Sequence, residues 1–236
     1  MVDTHCHFDM MPAPEAYIAK MEAEGNLVIG VTNCPEHFNI GYNAVCKYRH
    51  IRLALGFHPL LAKEIEDQLN LFQLYVDKTS YIGEIGLDFS REGILSKHTQ
   101  LDCLHSILTC LKDKNKIISV HSRNAERELL DILVEYNIKN VIFHWYTGKL
   151  SVMPEIIQKG YYFSVNEAMT RSVSGKKIIE HIPLDRILTE TDAPFNRKCD
   201  LLKTYQYLAG IGCSKQKIYS NFTDILKRLD TSLKRG

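Results

Sequence analysis

At 236 residues the chain can bury roughly three quarters of the surface its extended form exposes, so one core can hold it without covalent staples. A net charge of +1, with 24% charged and 45% hydrophobic residues, excludes a global basic field, and any nucleic-acid contact must come from a local patch. No apolar run approaches the roughly 18 residues of a membrane span, no basic leader precedes the first strand-like run, and the seven cysteines lack a CxxC pair. A cytoplasmic protein without membrane contact, disulfide framework or zinc ribbon is expected, with most of its thiols buried.

In chain order, strand-like runs begin with "MVDTHCH" at residue 1, "LVIGVTNC" at 27, "IRLALGFH" at 51 and "YIGEIGLD" at 81. "IISVHSR" at 117, "VIFHWYTG" at 141, "YYFSVN" at 161 and "ILTETDAP" at 187 complete the set. Segments with helical periodicity lie between them, such as residues 14–23 and 125–136, and Gly25 and Gly160 stand where helices would stop. Eight such alternations predict parallel βα units closing into an α/β fold, a (β/α)8 TIM barrel of one domain over residues 1–236. An open doubly wound sheet is the competing architecture, but no glycine-rich phosphate loop follows the first strand. Beyond the eighth run, "LLKTYQYLAGIG" and "SKQKIYSNFTDILKRL" predict two amphipathic helices packed on the barrel's outside, the second capped by Ser214.

Reactive groups of such a barrel collect at the C-terminal ends of its strands. The polar residues at those ends are His5 and His7, Asn33, His58, Glu84 and Asp88, His121 and Arg123, His144, Asn166, and Glu190 with Asp192. His5 and His7, two apart, project to one face of a strand and can share an ion. One buried histidine is ordinarily a hydrogen-bonded core residue. Four of them with two carboxylates, each set ending a different strand, would be costly to bury without a cation. Imidazole and carboxylate together suit zinc, manganese or magnesium rather than a thiolate site. Asp192 is the candidate ligand and general base on the eighth strand, and Glu190 supports it from deeper in the barrel. Glu84 occupies the place of a carboxylate between two ions, while Asp88 lies past its strand and reads as loop. Arg123, Lys149, Arg171, Lys176, Lys177, Arg197 and Lys198 are candidate phosphate contacts, and Trp145 and Tyr146 candidate base-stacking residues.

"DTHCH", "GFHP", "GEIGLD", "VHSR", "FHWYTG" and "LTETDAPF" resemble, in order, the motifs of the TatD family of metal-dependent nucleases, from Asp3 to about Phe195. "YSNFTDIL", with Asn221, resembles the family's closing helix. The forms "HWYTG" and "TETDAPF" are most similar to the TatD-type nuclease of bacterial Qat anti-phage systems. The resemblance implies that His5, His7, Glu84, His121, His144 and Asp192 ligate two divalent ions (Mg2+, Mn2+ or Zn2+). His5, His7 and Asp192 would hold one, His121 and His144 the other, with Glu84 between them. It implies catalytic roles for Asp192, Glu84 and His58; Arg123, Trp145 and Lys149 are expected to contact substrate.

Two departures stand out. Leu60 follows "HP" where the family often has a second histidine, and "NRKCDLLKTYQ" leads from Phe195 straight into helix. The expected function is metal-dependent hydrolysis of DNA phosphodiesters, exonucleolytic at single-stranded ends, with DNA ahead of RNA and with defence-system proteins as partners. Two other readings are an amide or ester hydrolase, including an aminoacyl-RNA deacylase, and a metal-binding subunit of a defence complex. The wider amidohydrolase group commonly has a modified lysine where this chain has Glu84, which favours phosphodiester work.

Overall fold

A computed structural model describes residues 1–62, 65–196 and 199–229. Among these, each strand-like run forms a short parallel strand: β1 (Val2–Cys6), β2 (Leu27–Val31), β3 (Ile51–Ala54), β4 (Tyr81–Gly86), β5 (Ile117–His121), β6 (Val141–His144), β7 (Tyr162–Val165) and β8 (Ile187–Thr189). Strands β1 to β3 pair in order, as do β4 to β8. Leu55 joins the two sheets, its N–H donating to the Tyr81 carbonyl (3.0 Å) and its own carbonyl accepting from Gly83 (2.9 Å).

The last seam, between β8 and β1, is closed largely by side chains. Thr4 Oγ1 donates to the Thr189 carbonyl (3.1 Å), and Asp3 accepts from the Thr191 N–H (3.0 Å) and hydroxyl (2.7 Å). The Asp192 N–H donates to the His5 carbonyl at 2.9 Å. The result is the expected (β/α)8 barrel.

Helices α1 (Pro14–Ala23), α2 (Pro35–Val45), α3 (Ile65–Tyr75), α4 (Lys97–Leu111), α5 (Glu126–Glu135), α6 (Met153–Gln158), α7 (Glu167–Arg171), α8 (Val173–His181) and α9 (Leu201–Gly210) connect the strands or follow the last one. Proline opens α1 and α2, where the first N–H has no intrahelical partner to lose. Gly25 and Gly160 end α1 and α6 at φ +65° and +75°, as the sequence predicts.

The expectation for the final helix, α10 (Lys215–Leu226), is corrected. Ser214 does cap it, its hydroxyl accepting from the Lys217 N–H at 3.1 Å. Yet Phe222, Ile225 and the following Leu229 pack with Val2, Ile29, Ile117, Ile142, Tyr162 and Leu188. On β5, β6 and β8 these share the parity of His121, His144 and Glu190, so they face inward from the strands' N-terminal ends. Helix α10 therefore closes the barrel's floor instead of lining its outer wall, because an open lower end would leave that apolar layer wet. Asn221 anchors it, donating to the Leu184 and Ile187 carbonyls at 2.8 Å each. Asn221→Ala should lower stability by about 2–3 kcal/mol, since two carbonyls then lose their donor; urea denaturation checks it. The buried-thiol expectation also needs correction: all seven cysteines are free, but only Cys6, Cys103 and Cys213 are buried.

Candidate metal centre

Six side chains from the ends of five strands converge on the upper end of the barrel. β1 delivers His5 and, just beyond it, His7; their Nε2 atoms lie 3.2 Å apart. His5 is held by Ser119 of β5, whose Oγ is 2.8 Å from Nδ1. Its ring stacks on that of His144 from β6, with centroids 3.8 Å apart and planes 9° apart.

Glu84 reaches this group through a backbone bulge. The pairing of β4 with β5 breaks between Ile82 and Ile85. There the Glu84 N–H donates to the Thr32 carbonyl (3.1 Å), and Gly83 accepts from Thr32 (3.1 Å). Gly56 permits this crossing: a Cβ there would lie 1.7 Å from the Thr32 carbonyl oxygen and 2.5 Å from the Glu84 nitrogen. The glycine of "GFHP" thus positions a carboxylate 28 residues downstream of it, a role its spacing alone does not show.

The two oxygens of Glu84 face different partners. Oε1 lies 2.7 Å from His121 Nδ1, 2.7 Å from His144 Nε2 and 3.7 Å from His58 Nε2. Oε2 lies 3.3 Å from His7 Nε2 and 3.5 Å from His5 Nε2. Asp192 Oδ1 completes the second side, 3.6 Å from His7 and 3.8 Å from His5. Three sets of ligand atoms lie within 4.8 Å of one another: His5, His144 and Asp192; His5, His7 and Glu84; His58, Glu84 and His121. His144 therefore sits between the two halves rather than only with His121. His58, expected near the substrate, also stands where a ligand can.

This donor set fits divalent cations. The facing Nε2 atoms of His5 and His7 cannot both donate to each other, and the neighbouring carboxylates offer lone pairs to the same space. A cation there satisfies all of them at once.

Electrostatics tie the group together. Burial opposes ionisation of Glu84, but the His144, His58 and His121 imidazoles hold its carboxyl well below the usual range. Burial pushes Asp192 up to about 7 and His58 down to about 4. Against its own burial, His144 is raised well above the ordinary imidazole value by Glu84 and Glu190. Trp145 and Asp192, directly after and at two of these strand ends, have φ of +35° and +53°. Such left-handed conformations cost non-glycine residues about 1–3 kcal/mol and concentrate at functional sites.

Asp88 is loop, as expected, yet it belongs to the site. It is fully buried, its Oδ2 lies 2.8 Å from His121 Nε2, and its Oδ1 accepts from the Ser90 N–H at 2.8 Å. Gln100 of α4 clamps its backbone, accepting from the Asp88 N–H (2.8 Å) and donating to the Asp88 carbonyl (2.9 Å). Burial raises its pKa, but the hydrogen bonds from His121 and Ser90 outweigh it and hold the carboxyl down at about 2. Only its place at the end of "GEIGLD" signals this role. Glu190 is fully buried beneath His144; it accepts from Ser164 Oγ and from Asn166 Nδ2 (2.9 Å), the supporting position expected of it.

Above the cluster opens a cavity of about 700 Å³ whose rim carries Leu60, Leu61, Arg123, Trp145 and Phe195. Phe195, 56% exposed, stands edge-on to His7 at 4.9 Å, a placement that its position in "TETDAPF" does not signal. Tyr146 does not reach the cavity: it is fully buried against Phe163 and Phe143, and its hydroxyl donates to the Lys149 carbonyl. Lys149 is exposed outside the lining. Arg171 faces Glu167 at 3.6 Å, Lys176 lies over the Tyr207 ring, and Lys177 is exposed on α8, all away from the lining. Arg197 and Lys198 lie outside the described residues.

Residues 2–229 match the model of the family described as TatD related DNase. The chain belongs to that family. Deoxyribonuclease TATDN3 of Homo sapiens is 29% identical over 226 residues, covering 82% of this chain and 78% of the human protein. A protein of Buchnera aphidicola described as an uncharacterized metal-dependent hydrolase is 31% identical over 218 residues, covering 83% and 81%. The crystal structure of YJJV, a TatD homologue from Escherichia coli, superposes with a TM-score of 0.82 at 23% identity, over 95% of this chain and 97% of the other, and shares its fold. As a member of the family the chain is a metal-dependent hydrolase, an enzyme. No helix among the described residues is long and apolar enough to cross a membrane.

Proposed function

We propose that the chain, as one domain over residues 1–236, hydrolyses DNA phosphodiester bonds with two divalent cations, removing nucleotides from single-stranded ends. The observation that carries this reading is the two-sided placement of Glu84, whose Oε1 addresses His121 and His144 while Oε2 addresses His5 and His7. A carboxylate shared in this way suits a pair of ions. The name of the human relative, a deoxyribonuclease, supports the substrate class.

His5, His7, Glu84, His121, His144 and Asp192 hold the ions, with His58 beside His121. When bound, the cations polarise the phosphodiester and make water acidic enough to attack at neutral pH. Asp192, beside His5 and His7 at the cavity base, accepts the proton of the attacking water. Asp88 fixes the His121 ring by taking its Nε2, leaving Nδ1 toward Glu84, and Ser119 does the same for His5. Arg123 contacts the phosphate backbone, and Trp145 and Phe195 offer faces to the bases at the rim. Lys149, nearby on the surface, meets the flanking strand.

The test is incubation of the purified protein, with Mg2+, Mn2+ or Zn2+, with end-labelled single-stranded DNA and RNA. Metal-dependent cleavage of DNA, shortened from one end and reduced about a thousandfold in Asp192→Asn, is the expected result. Metal binding without cleavage of either polymer would overturn the nuclease reading. The forms "HWYTG" and "TETDAPF" support a cytoplasmic place in Qat-type anti-phage defence, alongside partner proteins. Phage plating on cells carrying Asp192→Asn in place of the native chain should then match plating on cells lacking the protein.

A further inference from the structure

The barrel end opposite the metal centre holds a second cavity, of about 430 Å³, bounded by the segments leading into β5, β6 and β7. Lys139 before β6, Lys159 after α6 and Arg228 after α10 contribute three cations to its lining. Among the described residues no carboxylate lines it. Asp224 of α10 lies outside the lining, accepting from Lys227 Nζ at 3.0 Å and facing the charges of Lys217 and Arg228. Val134, Ile138 and Tyr161 form its apolar side, and the Tyr161 hydroxyl is already committed to the Ile138 carbonyl at 2.7 Å.

Asn140 decides what this cavity suits. It lines the cavity, is only 2% exposed, and among the described residues neither its Nδ2 nor its Oδ1 has a partner. Its backbone carbonyl, by contrast, accepts from the Ile118 N–H at 3.0 Å as β5 pairs with β6. A buried amide left in this state is unfavourable, and native proteins give such groups a ligand or water. Three cations and, among the described residues, no carboxylate in the lining suit an anion at Nδ2, while Asp224 and Glu155 act on Arg228 and Lys159 from outside it. Oδ1 requires more, because a fully deprotonated anion offers it only lone pairs. An occupant with an O–H or N–H of its own supplies that donor.

We propose that this cavity is a binding site for a phosphate-class anion carrying a hydrogen-bond donor: hydrogen phosphate, or a nucleoside monophosphate whose ribose hydroxyls supply the donor that its doubly ionised phosphate lacks. Lys139, Lys159 and Arg228 neutralise its charge, Asn140 Nδ2 donates to a phosphate oxygen, and Asn140 Oδ1 accepts from the ligand's hydroxyl. The cavity volume suits either ligand. The site stands apart from the metal centre and does not depend on the nuclease reading.

Calorimetric titration of the full chain in the presence of chelator, so that no metal-held phosphate contributes, tests this with phosphate, sulfate and AMP. One equivalent of phosphate should bind, and sulfate, equal in size and charge but without an O–H at neutral pH, at least about tenfold more weakly. Lys139→Gln with Arg228→Gln changes two exposed side chains and should weaken phosphate binding about tenfold or more. Asn140→Asp keeps the side chain's shape and should abolish binding, with its melting temperature checking that the fold persists. AMP binding more tightly than phosphate assigns the site to a nucleotide; AMP that fails to displace phosphate assigns it to the free ion. The proposal is overturned if neither ligand binds at millimolar concentration, if sulfate binds as well as phosphate, or if the Lys139 and Arg228 variant binds as the native chain does.

Discussion

Glu84→Gln should lower metal-dependent cleavage by about three orders of magnitude while leaving a folded protein. Glutamine keeps the shape of the side chain but removes the charge that His5, His7, His121 and His144 share. Both halves of the centre lose a charged oxygen at once, since Oε1 faces His121 and His144 while Oε2 faces His5 and His7. Metal assistance is worth several kcal/mol of transition-state stabilisation, and each 1.4 kcal/mol is about tenfold in rate. A second measurement separates this from misfolding. Metal at about one hundred times its dissociation constant should stabilise the native chain by about 2.7 kcal/mol, and in Glu84→Gln most of that gain should vanish. Thermal melts with and without Mn2+ read it directly. Equal metal-induced shifts and equal cleavage in the two proteins would remove Glu84 from the centre.

Phe222→Ala should destabilise the fold by about 3–5 kcal/mol, a large part of the roughly 5–15 kcal/mol that holds an ordinary domain together. Phe222 is 4% exposed and sits at the floor of the barrel among Ile117, Ile142, Tyr162 and Leu188. Its truncation opens a void below the inner layer, where rigid strands cannot collapse to fill it. Tyr219, on the same helix but 57% exposed, provides the contrast: Tyr219→Ala should change stability by no more than about 0.5 kcal/mol. Urea denaturation of both variants reads the difference between the buried and the exposed face of α10.

The strands were legible because each is a short β-branched or apolar run ending in polar residues, a pattern set by neighbours in the chain. The helix boundaries were legible for the same local reason, from Pro14 and Ser214 at starts and Gly25 and Gly160 at stops. Residues whose roles depend on distant chain were harder to read. Asp88 takes its place from Gln100 and His121, and Tyr146 is drawn under the cavity by Phe163, contacts that no periodicity encodes.

By itself, the sequence determined the alternation of strands and helices, the barrel class, and the imidazole and carboxylate residues that end the strands. Those follow from side-chain period and residue chemistry, which are local. The tertiary structure alone decided which oxygen of Glu84 meets which histidine, where Phe195 and Tyr146 lie, and that α10 closes the floor. It did so through closure: Asp3 and Thr191 meet across 188 positions, and Gly56 lets Glu84 cross toward Thr32. Such contacts join residues far apart in the chain, so their geometry is a property of the closed barrel and not of any one segment.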